Sequence, residues 1–305
     1  MTFNFPAREW LCENTGIAPP SLEITRLEGA TSSSVFRVHE RRDPRAESFV
    51  LRVIDNAAWL AEEPDLAEHE AAALQEAQKA GLPAPRLVAH ATDTANELGF
   101  GAPIVLMSFL GGSIQLRPPD FSSWLRGLAT DLAVIHRHSA ESFPWRYRSW
   151  RTDHRALAPP LWSARPRVWE QAIERAHQPA PRFRPVFLHR DYHPTNVLWH
   201  GESISGVVDW INACRGPAGV DVAHCRTNLA QMFGGEAADR FLDAYREIVP
   251  TFEYDWYWDL DSMLDVCLPE PTFYPPWQTF GLAILAPELL RERAETYLES
   301  VLRRG

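Results

Sequence analysis

The stretch His189-Arg190-Asp191-Tyr192-His193-Pro194-Thr195-Asn196, with Asp209 thirteen residues beyond Asn196 in Gly206-Val207-Val208-Asp209-Trp210, constrains this chain more than any other part of it. Between the two lie Val197-Leu198-Trp199 and Ser205 to Val208, short apolar runs around His200-Gly201-Glu202 that read as a hairpin. A hairpin of that length returns the chain to its start, so Asp209 is expected beside Asn196. Two carboxylates and a carboxamide oxygen gathered in this way suit magnesium, a hard cation that takes oxygen donors. They also suit a reaction in which metal neutralises a charged phosphate and a hydroxyl loses its proton to a fixed carboxylate. The plainer readings are Asp191 as a turn residue and Asp221 as a helix N-cap. His189 and His193 stand four apart, but the glutamate of a zinc-hydrolase HExxH is missing and proline follows at once.

Periodicity organises the chain around this stretch. Ser21 to Leu27, Val35 to Val38, Phe49 to Ile54, Arg86 to Thr92 and Pro103 to Leu110 carry the alternating or clustered apolar residues of strands. Pro64 to Ala80 is rich in Ala, Leu, Glu and Gln, with Leu66, Ala73 and Leu74 on one helical face; Gly81 and Pro83 end it. At Gly111-Gly112 the pattern changes. Phe121 to His138 reads as a helix with Leu125, Leu128, Leu132 and Ile135 on one side, and Ala286 to Arg304 as an amphipathic one. The stretch from 139 to 185, rich in Trp, Arg and Pro, shows no clear period. The expected fold class is α+β with two lobes: a β-rich N-terminal lobe over 1–110 and a mainly helical C-terminal lobe over 111–305.

Composition removes several functions. A net charge of −10 argues against a nucleic-acid surface. The longest apolar run, near Ala102 to Leu110, is too short to cross a bilayer, and the N-terminus lacks the pattern of a secretory signal, so no membrane association and a cytoplasmic location are expected. Cys12, Cys214, Cys225 and Cys267 form no CxxC pair and read as free thiols. Lys79 is the only lysine, in Ala-Gln-Lys-Ala-Gly, which rules out a GxxxxGK[ST] phosphate loop.

HRDYHPTN followed by VVDW resembles the aminoglycoside phosphotransferase family, which includes choline-kinase-like and related small-molecule kinases and carries H-G-D-x-H-x-x-N, a strand and D-[WFH]. The resemblance covers nearly the whole chain and takes in the Ser/Thr-rich turn near Thr31, the strand Phe49 to Val53, the helix bearing Glu70, the hinge near Met107 and the Asp221 segment. Arg190 stands where the family usually has glycine. The resemblance implies a protein-kinase-like fold that uses ATP or GTP with Mg2+. It makes Asp191 the catalytic base and Asn196 and Asp209 magnesium ligands, with His189 and Asp221 bracing the catalytic loop. It places Arg52 on the nucleotide phosphates, where kinases more often have lysine, paired with Glu70 or else Glu68 or Glu63. An arginine there stays charged and grips phosphate with two donors. Ser32, Ser33 and Ser34 would cover the phosphates, although an ordinary polar hairpin would look the same. Met107, Ser108 and Phe109 would line the adenine.

The implied partner is a small hydroxylated molecule, an aminoglycoside-like antibiotic or a metabolite, handled by a monomer or homodimer. Asp255, Asp259 and Asp261 with Trp258 could bind an ammonium group by charge and cation–π contact; the bland alternative is a helix with an aromatic core face and solvated acids. Arg52 in place of lysine leaves open a non-catalytic, nucleotide-binding pseudokinase. A protein kinase is disfavoured, because almost no activation segment fits between Asp209 and Asp221.

Overall fold

The computed structural model describes residues 3–30, 32–43, 45–93, 96–150 and 157–305. The chain separates into two compact units, Met1–Gly112 with Ser205–Asn212, and Ser113–Ile204 with Ala213–Gly305.

The first unit is built on a five-stranded antiparallel sheet of β1 (Leu22–Arg26), β2 (Ser34–Glu40), β3 (Phe49–Val53), β4 (Leu87–Ala91) and β5 (Ile104–Ser108), in the order β1-β2-β3-β5-β4. Side chains alternate between faces along a strand. Leu51 and Val53 join a core with Phe36, Val38, Ile104 and Leu106, closed by Ala7 and Leu11 of helix α1 (Phe5–Thr15). Arg52 must then point to the opposite face. That face carries α3 (Leu66–Lys79), which follows the short α2 (Ala57–Glu62) and buries Leu66, Ala73 and Leu74. Gly81, in the left-handed region at φ 67°, ends α3. Hydrophobic periodicity does not mark α1. Its amphipathic signal is weak, and its markers are the caps: Asn4 accepts from the Ala7 amide, Pro6 opens the first turn and Gly16 closes the last.

The segment Ser205–Asn212 is tied into this unit. Ser205 Oγ donates to Gly111 O at 2.7 Å and the Val207 amide to Pro83 O at 2.7 Å. It ends in a 3-10 turn, Trp210–Asn212, whose indole is fully buried and donates to Val207 O at 2.8 Å.

The second unit is mainly helical. It contains β6 (Ser113–Ile114), α4 (Phe121–His136), α5 (Pro166–Ala176), β7 (Pro185–Leu188) and β8 (Val197–His200). After β8 comes β9 (Ser203–Val207), which runs on into the segment belonging to the first unit. Then follow β10 (Cys214–Pro217), α6 (Ala218–Phe233), α7 (Gly235–Ile248), α8 (Tyr257–Cys267), α9 (Pro275–Thr279) and α10 (Pro287–Arg304). β7 pairs antiparallel with β10, and β6 with β8. Asp120 caps α4 by accepting from the Ser122 and Ser123 amides, and Leu125, Leu128, Leu132 and Ile135 are all buried. Leu188, Cys214, Val220, Ala223 and Trp258 form a core at the start of α6. The close approach needs Gly219, where a Cβ would lie 2.3 Å from Trp258 Cδ1. Among the described residues no helix is long and apolar enough to cross a membrane, and the four cysteines are free thiols.

Candidate active site

The residues singled out in the sequence fall into two groups, one in each unit. In the first unit Arg52, buried on β3, lies between two carboxylates. Its Nε is 3.2 Å from Glu70 Oε2 on α3, and its Nη2 is 2.8 Å from Asp209 Oδ1. Glu70, rather than Glu68 or Glu63, is therefore the partner. Asp209 sits at φ 69°, a left-handed conformation that aspartate tolerates better than most residues. Glu70 is fully buried. Burial pushes its carboxyl up to about 7, Arg52 opposes that, and Asp209 adds to it.

This shift fixes the sign of a pH effect. A carboxyl raised on folding favours the native state while protonated, so its contribution is complete below its ordinary 4.5 and is lost as pH rises through about 7. A rise of that size corresponds to about 3 kcal/mol. Thermal unfolding followed from pH 5 to 8 should show the wild type losing stability across this range. Glu70→Gln, which does not titrate, should flatten the profile; an unchanged slope would remove Glu70 as its source.

Ser33 and Ser34 are buried. Ser34 Oγ donates to Asp55 Oδ2 at 2.6 Å, whereas Ser33 Oγ has no hydrogen-bond partner among the described residues. Ser32 is half-buried beside them, and Thr31 lies outside the described residues. Along Met107, Ser108 and Phe109, the Ser108 amide donates to Arg86 O and the Phe109 amide to Ser48 O, both at 2.9 Å. Those two N–H groups are committed within the unit.

In the second unit the chain leaves β7 and turns sharply at Arg190, φ 71°. Asp221, in the first turn of α6, holds this turn from below: Oδ2 accepts from the His189 amide and Oδ1 from the Arg190 amide, both at 2.8 Å. Oδ2 also lies 3.1 Å from His136 Nε2, whose Nδ1 is 2.7 Å from Tyr245 OH. Burial alone would raise the Asp221 carboxyl, but His136, His189 and the accepted hydrogen bonds bring it below its ordinary value. Asp221 therefore binds the loop and does not merely cap its own helix. His189 is fully buried, edge-on to Tyr192, whose hydroxyl donates to Leu128 O at 2.9 Å.

Arginine in place of glycine at 190 is explained by its side chain. A left-handed conformation costs a non-glycine residue about 1 kcal/mol. The guanidinium lies 3.6 Å from the centre of the Trp150 ring, 5.0 Å from that of Tyr147 and 3.9 Å from Asp265 Oδ2, contacts that offset that cost.

Asp191 follows, its side chain about a quarter exposed. Asn196 Nδ2 donates to Asp191 O at 2.8 Å and to Oδ2 at 3.2 Å. Asp191 Oδ1 lies 3.0 Å from His224 Nε2 and 3.6 Å from His193 Nε2. Burial pushes this carboxyl up, but His193, His224 and His189 together outweigh it and hold it well below the usual carboxylate range. The group is thus an ionised acceptor with one side open to solvent. Sequence reasoning does not single out His224. The available signal is its place three residues after Asp221, on the same face of α6.

The expected wall of acids does not hold together. Asp255 precedes α8, is exposed, and accepts from the Tyr257 amide. Trp258 belongs to the core. Asp259 is fully buried and accepts from Arg226 Nε at 2.9 Å and Tyr297 OH at 2.7 Å. Asp261 accepts from Tyr147 OH at 2.6 Å and Ser149 Oγ at 2.9 Å. Of the four, Trp258 and Asp259 are structural, because an apolar core and a buried arginine claim them. Residues 151–156 of the arginine-rich stretch lie outside the described residues.

Residues 23–259 match the model of the phosphotransferase enzyme family. A homoserine kinase from Chelativorans sp. (strain BNC1) is 31% identical over 144 residues, which cover 41% of each chain. The chain therefore spans about two fifths of that relative's length. Among solved structures, an aminoglycoside phosphotransferase APH(4)-Ia mutant in ternary complex with ADP and hygromycin B is similar with a TM-score of 0.61 and 16% identity, over 99% of both chains. Macrolide 2'-phosphotransferase MphH from Brachybacterium faecium has a TM-score of 0.61 and 18% identity, over 96% of this chain and 98% of that one. An amicoumacin kinase in complex with AMP-PNP, Ca2+ and Ami gives 0.57 and 14%, over 96% and 94%. At these identities the structural likenesses speak for the fold alone, and the fold is the expected α+β, kinase-like one.

Proposed function

The chain belongs to the phosphotransferase enzyme family, and on that premise we propose that it transfers the terminal phosphate of ATP or GTP, with Mg2+, to a hydroxyl group of a small molecule. The observation that carries this reading is the placement of Asp191: a partly open carboxylate, 3.0 Å from His224 Nε2, on a loop pinned by Asp221. Asp191 takes the proton of the acceptor hydroxyl as that oxygen attacks phosphorus. Asp221 and His189 keep the loop in shape. Arg52, braced by Glu70, faces the nucleotide phosphates, and the Ser32-Ser33-Ser34 turn offers donors above them. The Met107 to Leu110 segment borders the base.

The two residues that the family resemblance assigns to magnesium, Asn196 and Asp209, are oxygen donors. Asn196 turns its amide nitrogen to Asp191, which leaves its carbonyl oxygen for a cation, and Asp209 is a carboxylate whose Oδ1 is 2.8 Å from Arg52 Nη2. Each carries an oxygen donor of the kind magnesium takes, and the ion when bound neutralises charge on the phosphates. Asp209 meanwhile keeps Arg52 in place by their ion pair.

The acceptor is a hydroxylated metabolite or antibiotic. The homoserine kinase relative and the similar aminoglycoside and macrolide phosphotransferases suggest a first panel of homoserine, aminoglycosides and macrolides. ADP release measured with Mg2+ over this panel should rise above the acceptor-free rate for at least one compound and stop with EDTA. The Arg52–Asp209 pair also favours a second reading, a nucleotide-binding protein without turnover, since it occupies both a phosphate-binding and a metal-binding group. Tight nucleotide binding with no acceptor-dependent ADP release across a wide panel would select it.

A further inference from the structure

We propose that Asp191, His193 and His224 form a binding site for a borderline divalent transition-metal ion, with Zn2+ as the natural candidate, distinct in donor chemistry from the all-oxygen magnesium pair. One carboxylate oxygen and two imidazole nitrogens lie within 4.8 Å of one another. Asp191 Oδ1 is 3.0 Å from His224 Nε2 and 3.6 Å from His193 Nε2. Ligand atoms about 2.0–2.1 Å from a tetrahedral zinc ion stand about 3.3 Å apart, so these two edges bracket the required length. Two imidazoles and one carboxylate are a common set of three protein ligands for zinc, and imidazole selects Zn2+ over Mg2+.

The surroundings are those of a site that keeps one position open. His193 and His224 are buried, whereas Asp191 is partly exposed, which leaves room for water as a fourth ligand. The ligands come from two rigid pieces, the loop pinned by Asp221 and helix α6. His193 Nδ1 is 2.8 Å from Thr195 Oγ1, an outer contact of the kind that turns the opposite ring nitrogen toward a metal. The amide nitrogens of Asn196 and Asn228 now lie 3.2 Å from His193 Nε2 and His224 Nε2. Each has a second acceptor, Asp191 O and His224 O, to which it can keep bonding when an ion takes the imidazole nitrogen.

An ion bound here would occupy the carboxylate assigned as base. The inhibition rests on the proposed phosphotransfer; the binding does not. The test uses untagged full-length protein in two arms. In the first, Co2+ is titrated into protein free of nucleotide and read by its visible absorption. One Co2+ per chain should bind, be displaced by Zn2+, and bind at least tenfold more weakly to His193→Ala and to His224→Ala. His224→Gln, which keeps the side chain's polarity, should lose the signal as well. Equal Co2+ affinity in wild type and both alanine variants would overturn the site. In the second arm, micromolar Zn2+ should inhibit ADP release at millimolar Mg2+, and the inhibition should not be relieved by raising Mg2+. Co2+ binding that needs both histidines, without inhibition by Zn2+, would keep the metal site and overturn Asp191 as the base.

Discussion

Asp191→Asn should lower kcat for acceptor phosphorylation by at least ~10²-fold while nucleotide affinity stays within a few-fold. The substitution keeps the size and the planar shape of the side chain but removes its capacity to accept a proton. Wild-type Asp191 has an ionised carboxylate for that task, because the surrounding histidines hold it below the usual carboxylate range against the effect of burial. The loop should survive the change. The Arg190 turn is made by Asp221 through backbone amides, and Asn196 donates to the Asp191 carbonyl as well as to its side chain. A fall in kcat with unchanged nucleotide Kd and circular dichroism is the expected pattern. Activity equal to wild type would require another base, and a parallel collapse of nucleotide binding would make Asp191 a structural residue.

Asp259→Asn should destabilise the protein by about 3–5 kcal/mol, the usual cost of leaving a buried charge without its partner. Arg226 is fully buried at the meeting of four helices. It donates to Asp259 of α8 at 2.9 Å and to Ala238 O of α7 at 3.0 Å from its own place on α6, while Tyr297 of α10 donates to the same Asp259 oxygen. Burial would lower the pKa of this guanidinium, but Asp259, Tyr297 and Tyr254 raise it further than burial lowers it, so it stays charged. Urea unfolding should show a large drop in midpoint for Asp259→Asn and for Arg226→Met. The pair Arg226→Met with Asp259→Leu should recover much of the loss, because it removes both charges together. Near-wild-type stability of Asp259→Asn with a raised acceptor KM would restore the acid to an acceptor site.

The legible part of this protein is the part written in contiguous residues. HRDYHPTN and VVDW name the loop and the acid, and the apolar run Phe49 to Val53 marks a strand, on which Arg52 points away from the core that holds Leu51 and Val53. Likewise, the spacing of Leu125, Leu128, Leu132 and Ile135 is enough to mark the buried face of α4. These are local properties, set by the period of two along a strand and of 3.6 along a helix. The rest is decided by distant residues meeting in space. Asp259 and Asp255 look alike in the sequence, but one meets Arg226 in the core and the other caps a turn. His224 becomes significant only because α6 brings it within 3.0 Å of Asp191. Arg190 is tolerated at a left-handed turn because Trp150, forty residues earlier, supplies a ring for it. A side chain's charge, burial and partner are properties of its surroundings in the folded chain, and neither motif nor periodicity specifies which surroundings those are.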